Sequence, residues 1–160
     1  MLYLGAALVL FGAYTVWRKY SDFLSMDLAQ CRAFLRALSD YREKIKCYMD
    51  TPMVWANGYS DATIGESVFI DRLKDGESFR DAYAAFRESV SLTENVDRIL
   101  FNCFDRLGEG YLDTELEALE MAIDKLTGEE EALSDGLYKR RKAFGAVVGA
   151  FAVGVIILII

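Results

Sequence analysis

The chain of 160 residues carries 25 acidic against 18 basic side chains, a formal charge of -7, and 53% of its residues are apolar, while histidine is missing altogether. Without an imidazole there is no general base of the usual kind at neutral pH, no Ser-His or Cys-His nucleophile pair, few routes to a zinc site, and no Glu-x-x-His pair for a carboxylate di-iron bundle. The acidic balance disfavours nucleic acid as a partner, because the phosphate-neutralising term that supplies most such affinity would be repulsive.

Met1 to Trp17 holds no charged side chain and is followed by Arg18 and Lys19. This predicts an N-terminal transmembrane helix with a basic stop over residues 1-19. A secretory signal peptide would place its basic residues before the apolar stretch and a small-residue cleavage site after it, the reverse of the order here. Gly5 and Gly12 fall on one face of that helix, about two turns apart.

A helical-bundle domain is expected over residues 20-142. There is a single proline, and no long apolar-polar alternation that a half-buried strand would need. Leu24, Leu28, Cys31, Leu35, Leu38, Ile45 and Met49 recur at three- and four-residue steps and predict an amphipathic helix from about Asp22 to Asp50. Thr51 then reads as an N-cap and Pro52 as the first residue of a short helix that ends at Asn57-Gly58.

The next segment has Ile64, Val68, Ile70 and Leu73 as apolar positions and closes at Asp75-Gly76. Glu77 to Val90 places Phe79, Tyr83, Phe86 and Val90 on one stripe. Leu92 to Leu107 does the same with Val96, Ile99, Leu100 and Cys103, and Gly108 and Gly110 end it. The last bundle helix carries Leu112, Leu116, Leu119, Ile123 and Leu126. Gly128 is a candidate break, although Leu133 and Leu137 continue the stripe.

Lys139, Arg140, Arg141 and Lys142 form a basic collar ahead of Ala143 to Ile160, where no charged side chain occurs. That length gives roughly 27 Å of helix and predicts a C-terminal transmembrane helix over residues 143-160. With Arg18 and Lys19 on the inner flank of the first span, the positive-inside rule puts the middle of the chain in the cytoplasm. Gly145 and Gly149 form a small-xxx-small pattern suited to helix packing in a membrane, against Gly5 and Gly12 or in self-association. The expected fold class is therefore all-α, a cytoplasmic helical bundle between two membrane spans.

Candidate chemistry is sparse. Cys31, Cys47 and Cys103 are odd in number and lack a Cys-x-x-Cys pair, which fits reduced thiols. Glu129, Glu130 and Glu131 read as a solvated helix face before an acidic docking patch. Glu117 and Glu120 could in principle do acid-base work, but nothing apolar surrounds them in sequence to raise a pKa. No catalytic, metal or cofactor-binding residue is expected, and the chain reads as non-enzymatic.

The order Leu38-x-x-Tyr41-x-x-x-Ile45-x-x-Tyr48-x-x-Thr51-Pro52, then Gly76-Glu77-Ser78-Phe79-x-x-Ala82-Tyr83, then Phe104-x-x-Leu107-Gly108, and the basic collar before Gly145-x-x-x-Gly149 resembles the stage III sporulation protein AB family over nearly the whole chain. After Gly108 the chain reads Glu-Gly-Tyr-Leu-Asp-Thr-Glu, a departure from the family's usual run towards Asp-x-x-x-Gln.

The resemblance implies a bundle like those of type II secretion and pilus platform proteins. It marks Thr51, Pro52, Gly76, Leu107 and Gly108 as structural motif residues. It also implies membership of the channel complex that joins mother cell and forespore, at the mother-cell membrane, with the complex's ATPase and other channel-complex membrane proteins as partners, while the two predicted spans add the lipid bilayer. A homo-oligomer is compatible with this. The alternatives are a platform component of a pilus or type II secretion-like apparatus, and a small membrane-tethered lipid-binding protein.

Overall fold

A computed structural model describes residues 2–90, 92–108 and 111–159, with side chains for all of these except 2–9, 23, 24, 152, 156, 158 and 159. Among the described residues every regular element is an α-helix: α1 Leu2–Tyr48, α2 Pro52–Gly58, α3 Val68–Lys74, α4 Phe79–Ser89, α5 Glu94–Phe104 and α6 Leu112–Ile159. The chain forms two compact units, one from Met1–Met26 with Ala132–Ile160 and the other from Asp27–Glu131.

Among the described residues no helix is long and apolar enough to cross a membrane. This corrects the expectation that transmembrane helices flank the bundle. The apolar stretches are instead the outer parts of α1 and α6, each continuous with charged, amphipathic helix. A span needs roughly 20 consecutive, predominantly apolar residues. The described run ahead of Arg18 and Lys19 is diluted by Gly12, Tyr14, Thr15 and Trp17, and the run after Lys142 by Gly145, Gly149 and Gly154.

Within the first unit the two long helices touch side by side. The Tyr20 and Phe144 rings meet at 4.3 Å, and Arg141 Nη2 donates to the Ser21 carbonyl at 3.1 Å. Of the two readings at Gly128, a break or a continued stripe, the structure has the continued helix, with α6 running through both Gly128 and Gly136.

The second unit is organised around aromatic rings. Phe34 of α1 meets Phe69 of α3 at 5.7 Å, Phe86 of α4 at 5.3 Å and Phe104 of α5 at 6.2 Å. Phe79 lies parallel to Phe104 at 5.5 Å. Offset and edge-on arrangements of this kind align ring edges with ring faces and add to the stabilisation from burial. A second group, Tyr41, Trp55 and Phe79, ties α2 to α1 and α4, and Trp55 Nε1 donates to Asp40 Oδ2 at 2.7 Å. Leu119 and Leu126 bring α6 onto the same core.

Several stripes come out wider or shorter than their periodicity predicts. On α1, Leu28, Cys31, Leu38 and Ile45 are buried, but so are Ala33, Phe34, Ala37 and Tyr41, whereas Met49 is exposed. Met49 adopts φ 54°, beyond the last turn of α1. The segment with Ile64 is helical only from Val68. Ahead of it the Asp61 carboxylate accepts the N–H groups of Thr63 at 2.8 Å and Ile64 at 3.3 Å, and the Asp61 carbonyl accepts that of Gly65 at 2.8 Å, closing a single turn before α3. The surroundings of Gly5 and Leu24, and Gly110 altogether, lie outside the described residues.

Candidate docking groove at the helix turns

The five motif residues come from three separate helix junctions. Thr51 is the N-cap of α2, its hydroxyl accepting from the Val54 N–H at 3.4 Å, and Pro52 opens the helix. Gly76 ends α3 at φ 87°, with its N–H donating to the Leu73 carbonyl and the Glu77 N–H to that of Arg72, each at 3.1 Å. This paired closure requires a left-handed residue, which only glycine adopts without cost from a Cβ. Gly108, in the turn after α5, is also left-handed, at φ 87°.

Together these turns line one groove of about 810 Å³ in the Asp27–Glu131 unit, with Thr51, Pro52, Gly76, Leu107 and Gly108 all on its wall. Leu107, Phe79 and Phe104, which also line it, are buried. Ser78 caps α4 by accepting the Asp81 N–H at 3.1 Å, and its hydroxyl donates to Asp81 Oδ2 at 2.7 Å. The Arg80 guanidinium reaches Asp105 at 3.1 Å, and Arg72 holds Glu77 at 2.9 Å. The charges at this groove are thus largely matched within the protein, leaving a shaped surface with satisfied polar groups.

Glu115, which periodicity did not single out, fixes one side of this arrangement. It is 8% exposed, and its Oε1 accepts the Gly108 N–H at 2.9 Å, tying the start of α6 to the turn after α5. The signal available in sequence was its place three residues after Leu112 and four before Leu119, on the core flank of the helix.

The other candidates sit elsewhere. A Cβ on Gly145 would lie 3.4 Å from Trp17 Nε1, whereas Gly149 and Gly12 have nothing within 4 Å. Arg18, Lys19, Lys139, Arg140 and Lys142 are exposed, and Arg141 alone is half-buried, through its bond to Ser21. Glu130 pairs with Arg32 at 2.6 Å and Glu129 accepts from Asn95 at 3.2 Å, so two of the three acids in that run make contacts within the bundle.

Cys31 and Cys103 are buried and Cys47 is exposed. Burial, reinforced by Glu130 and Glu129 and opposed by Arg32, pushes the Cys31 thiol up to about 11. Burial likewise pushes Cys103 up to about 12, opposed by Arg106. Both thiols are poor nucleophiles in this state, since the thiolate is the reactive form.

Among the described residues no group of three or more His, Cys, Asp or Glu side chains is arranged to hold a metal ion. No protein-family model, curated protein or solved structure matches this chain.

Proposed function

We propose that this protein is a non-enzymatic docking scaffold whose helical bundle receives other proteins on its helix-turn surface. The convergence of Thr51, Pro52, Gly76, Leu107 and Gly108 on one groove carries this reading. Residues far apart in sequence converge there on a shaped surface, and the side chains around them are engaged in capping and ion pairing. Helix termini fixed by caps and glycine closures give a rigid surface, which lowers the ordering cost of binding a partner.

The resemblance to the stage III sporulation protein AB family supports the assignment of the scaffold to the channel complex between mother cell and forespore. In this proposal the bundle docks the complex's ATPase and contacts other channel-complex proteins at the mother-cell membrane. The test is retrieval from detergent extracts of sporulating cells by the tagged full chain. Recovery of the ATPase and channel proteins is expected; recovery of lipid or unrelated proteins alone would remove the assignment.

A further inference from the structure

A second groove, of about 780 Å³, lies between α5 and α6 in the same unit. Its floor is the buried Cys103, Ala118 and Ala122, and the partly exposed Ile99 and Met121 add apolar surface. Arg98 on α5 and Arg106 in the turn just past its end, both exposed, stand eight residues apart, roughly 12 Å at helical rise, and Lys125 lines the groove from α6.

None of these three cations is in an ion pair among the described residues. That is notable in a unit holding 23 acidic and 12 basic side chains. The two acids on the groove are already engaged, Asp105 by Arg80 at 3.1 Å and Glu129 by Asn95 at 3.2 Å. Three cations against two acids leave this apolar-floored groove with a net charge of +1 in an otherwise acidic unit.

We infer that this groove binds an acidic amphipathic helix of a partner protein. The partner's apolar side chains rest on Ile99, Met121 and Ala122, while carboxylates two turns apart meet Arg98 and Arg106 and a third meets Lys125. The small floor residues let a helix approach closely, and a simple phosphate would make no use of the apolar floor. The unit's overall negative field is screened beyond about 8–10 Å at physiological salt, so the local cations dominate at contact distance. The inference rests on the docking reading and adds a second surface to it.

The test titrates the full chain into a fluorescein-labelled helical peptide with leucine on one face and glutamate two turns apart on the other. Binding that weakens with added salt is expected, with a Glu→Gln version of the peptide at least about tenfold weaker. The R98E/K125E variant should lose at least about tenfold in affinity. K44E/K46E, the same charge change on α1 outside the groove, should stay within about twofold.

An unchanged urea midpoint identifies a folded variant, and R106Q replaces the pair if it does not fold. No binding of the glutamate peptide, equal binding of the glutamine peptide, or equal loss in K44E/K46E would overturn the inference. If the unaltered chain retrieves channel proteins from extracts but does not bind the glutamate peptide, the groove inference fails while the scaffold stands. If the unaltered chain retrieves none, the scaffold reading itself fails.

Discussion

Asp97 joins two helices through two different donors. Its Oδ1 accepts from the buried Tyr83 hydroxyl at 2.9 Å and its Oδ2 from Arg87 at 2.7 Å, while the Arg87 guanidinium also lies 5.4 Å from the Phe101 ring centre. Asp97→Ala leaves the Tyr83 hydroxyl without an acceptor and should destabilise the fold by about 1–3 kcal/mol, read from urea midpoints. Asp61 gives a pH signature. Burial penalises its charge, but the Thr63 and Ile64 N–H groups and the Arg36 guanidinium outweigh that and hold its carboxyl below the ordinary 3.8. Because the folded value is depressed, its contribution is present above the unfolded value and is lost as pH falls through the folded one. Stability should therefore decline below about pH 4, and Asp61→Asn should flatten that part of the urea-midpoint profile.

The long helix α6 tolerates glycine because its packing on both units outweighs local propensity. Gly128 is exposed, and a Cβ there meets nothing within 4 Å. Gly128→Ala should therefore raise stability by about 0.5–1 kcal/mol, visible as a higher thermal midpoint. Gly145 and Gly149 should behave differently from each other although they share a motif. Leucine at Gly145 presses on Trp17 and should cost about 1–3 kcal/mol through overpacking. At Gly149, open to solvent, the same substitution should leave the thermal midpoint nearly unchanged; equal losses at both would contradict the packing described.

At the scale of the molecule the bundle depends on rings from different helices meeting at one centre. Phe69 contacts Phe34, Phe79, Tyr83, Phe86 and Phe104. It lies on the seven-residue α3, too short to be stable alone. Phe69→Ala should cost about 3–5 kcal/mol and unfold the unit as a whole, so that near-UV and far-UV circular dichroism change together. Loss of ring signals with helix retained would show instead that the aromatic centre is not what makes folding cooperative.

Helical periodicity made the helices legible, along with the turn chemistry at Thr51-Pro52, Asp75-Gly76 and Gly108, because caps and left-handed glycines act through neighbours in sequence. Leu28, Cys31, Leu38, Phe79, Tyr83, Val96 and Leu119 were legible as core positions for the same reason. Hydrophobic length misled at the ends, where apolar stretches became parts of α1 and α6 that do not reach the length and apolarity of a span among the described residues. The role of Phe69, the capping of Gly108 by Glu115 and the gathering of five motif residues on one groove depend on contacts between distant parts of the chain. Residue type and local spacing determined most helical segments and the turns after α1, α3 and α5, but not the continuity of α1 and α6. Only the tertiary structure decided which turns share a surface and which charges remain unpaired, because those follow from packing between helices that no local pattern encodes.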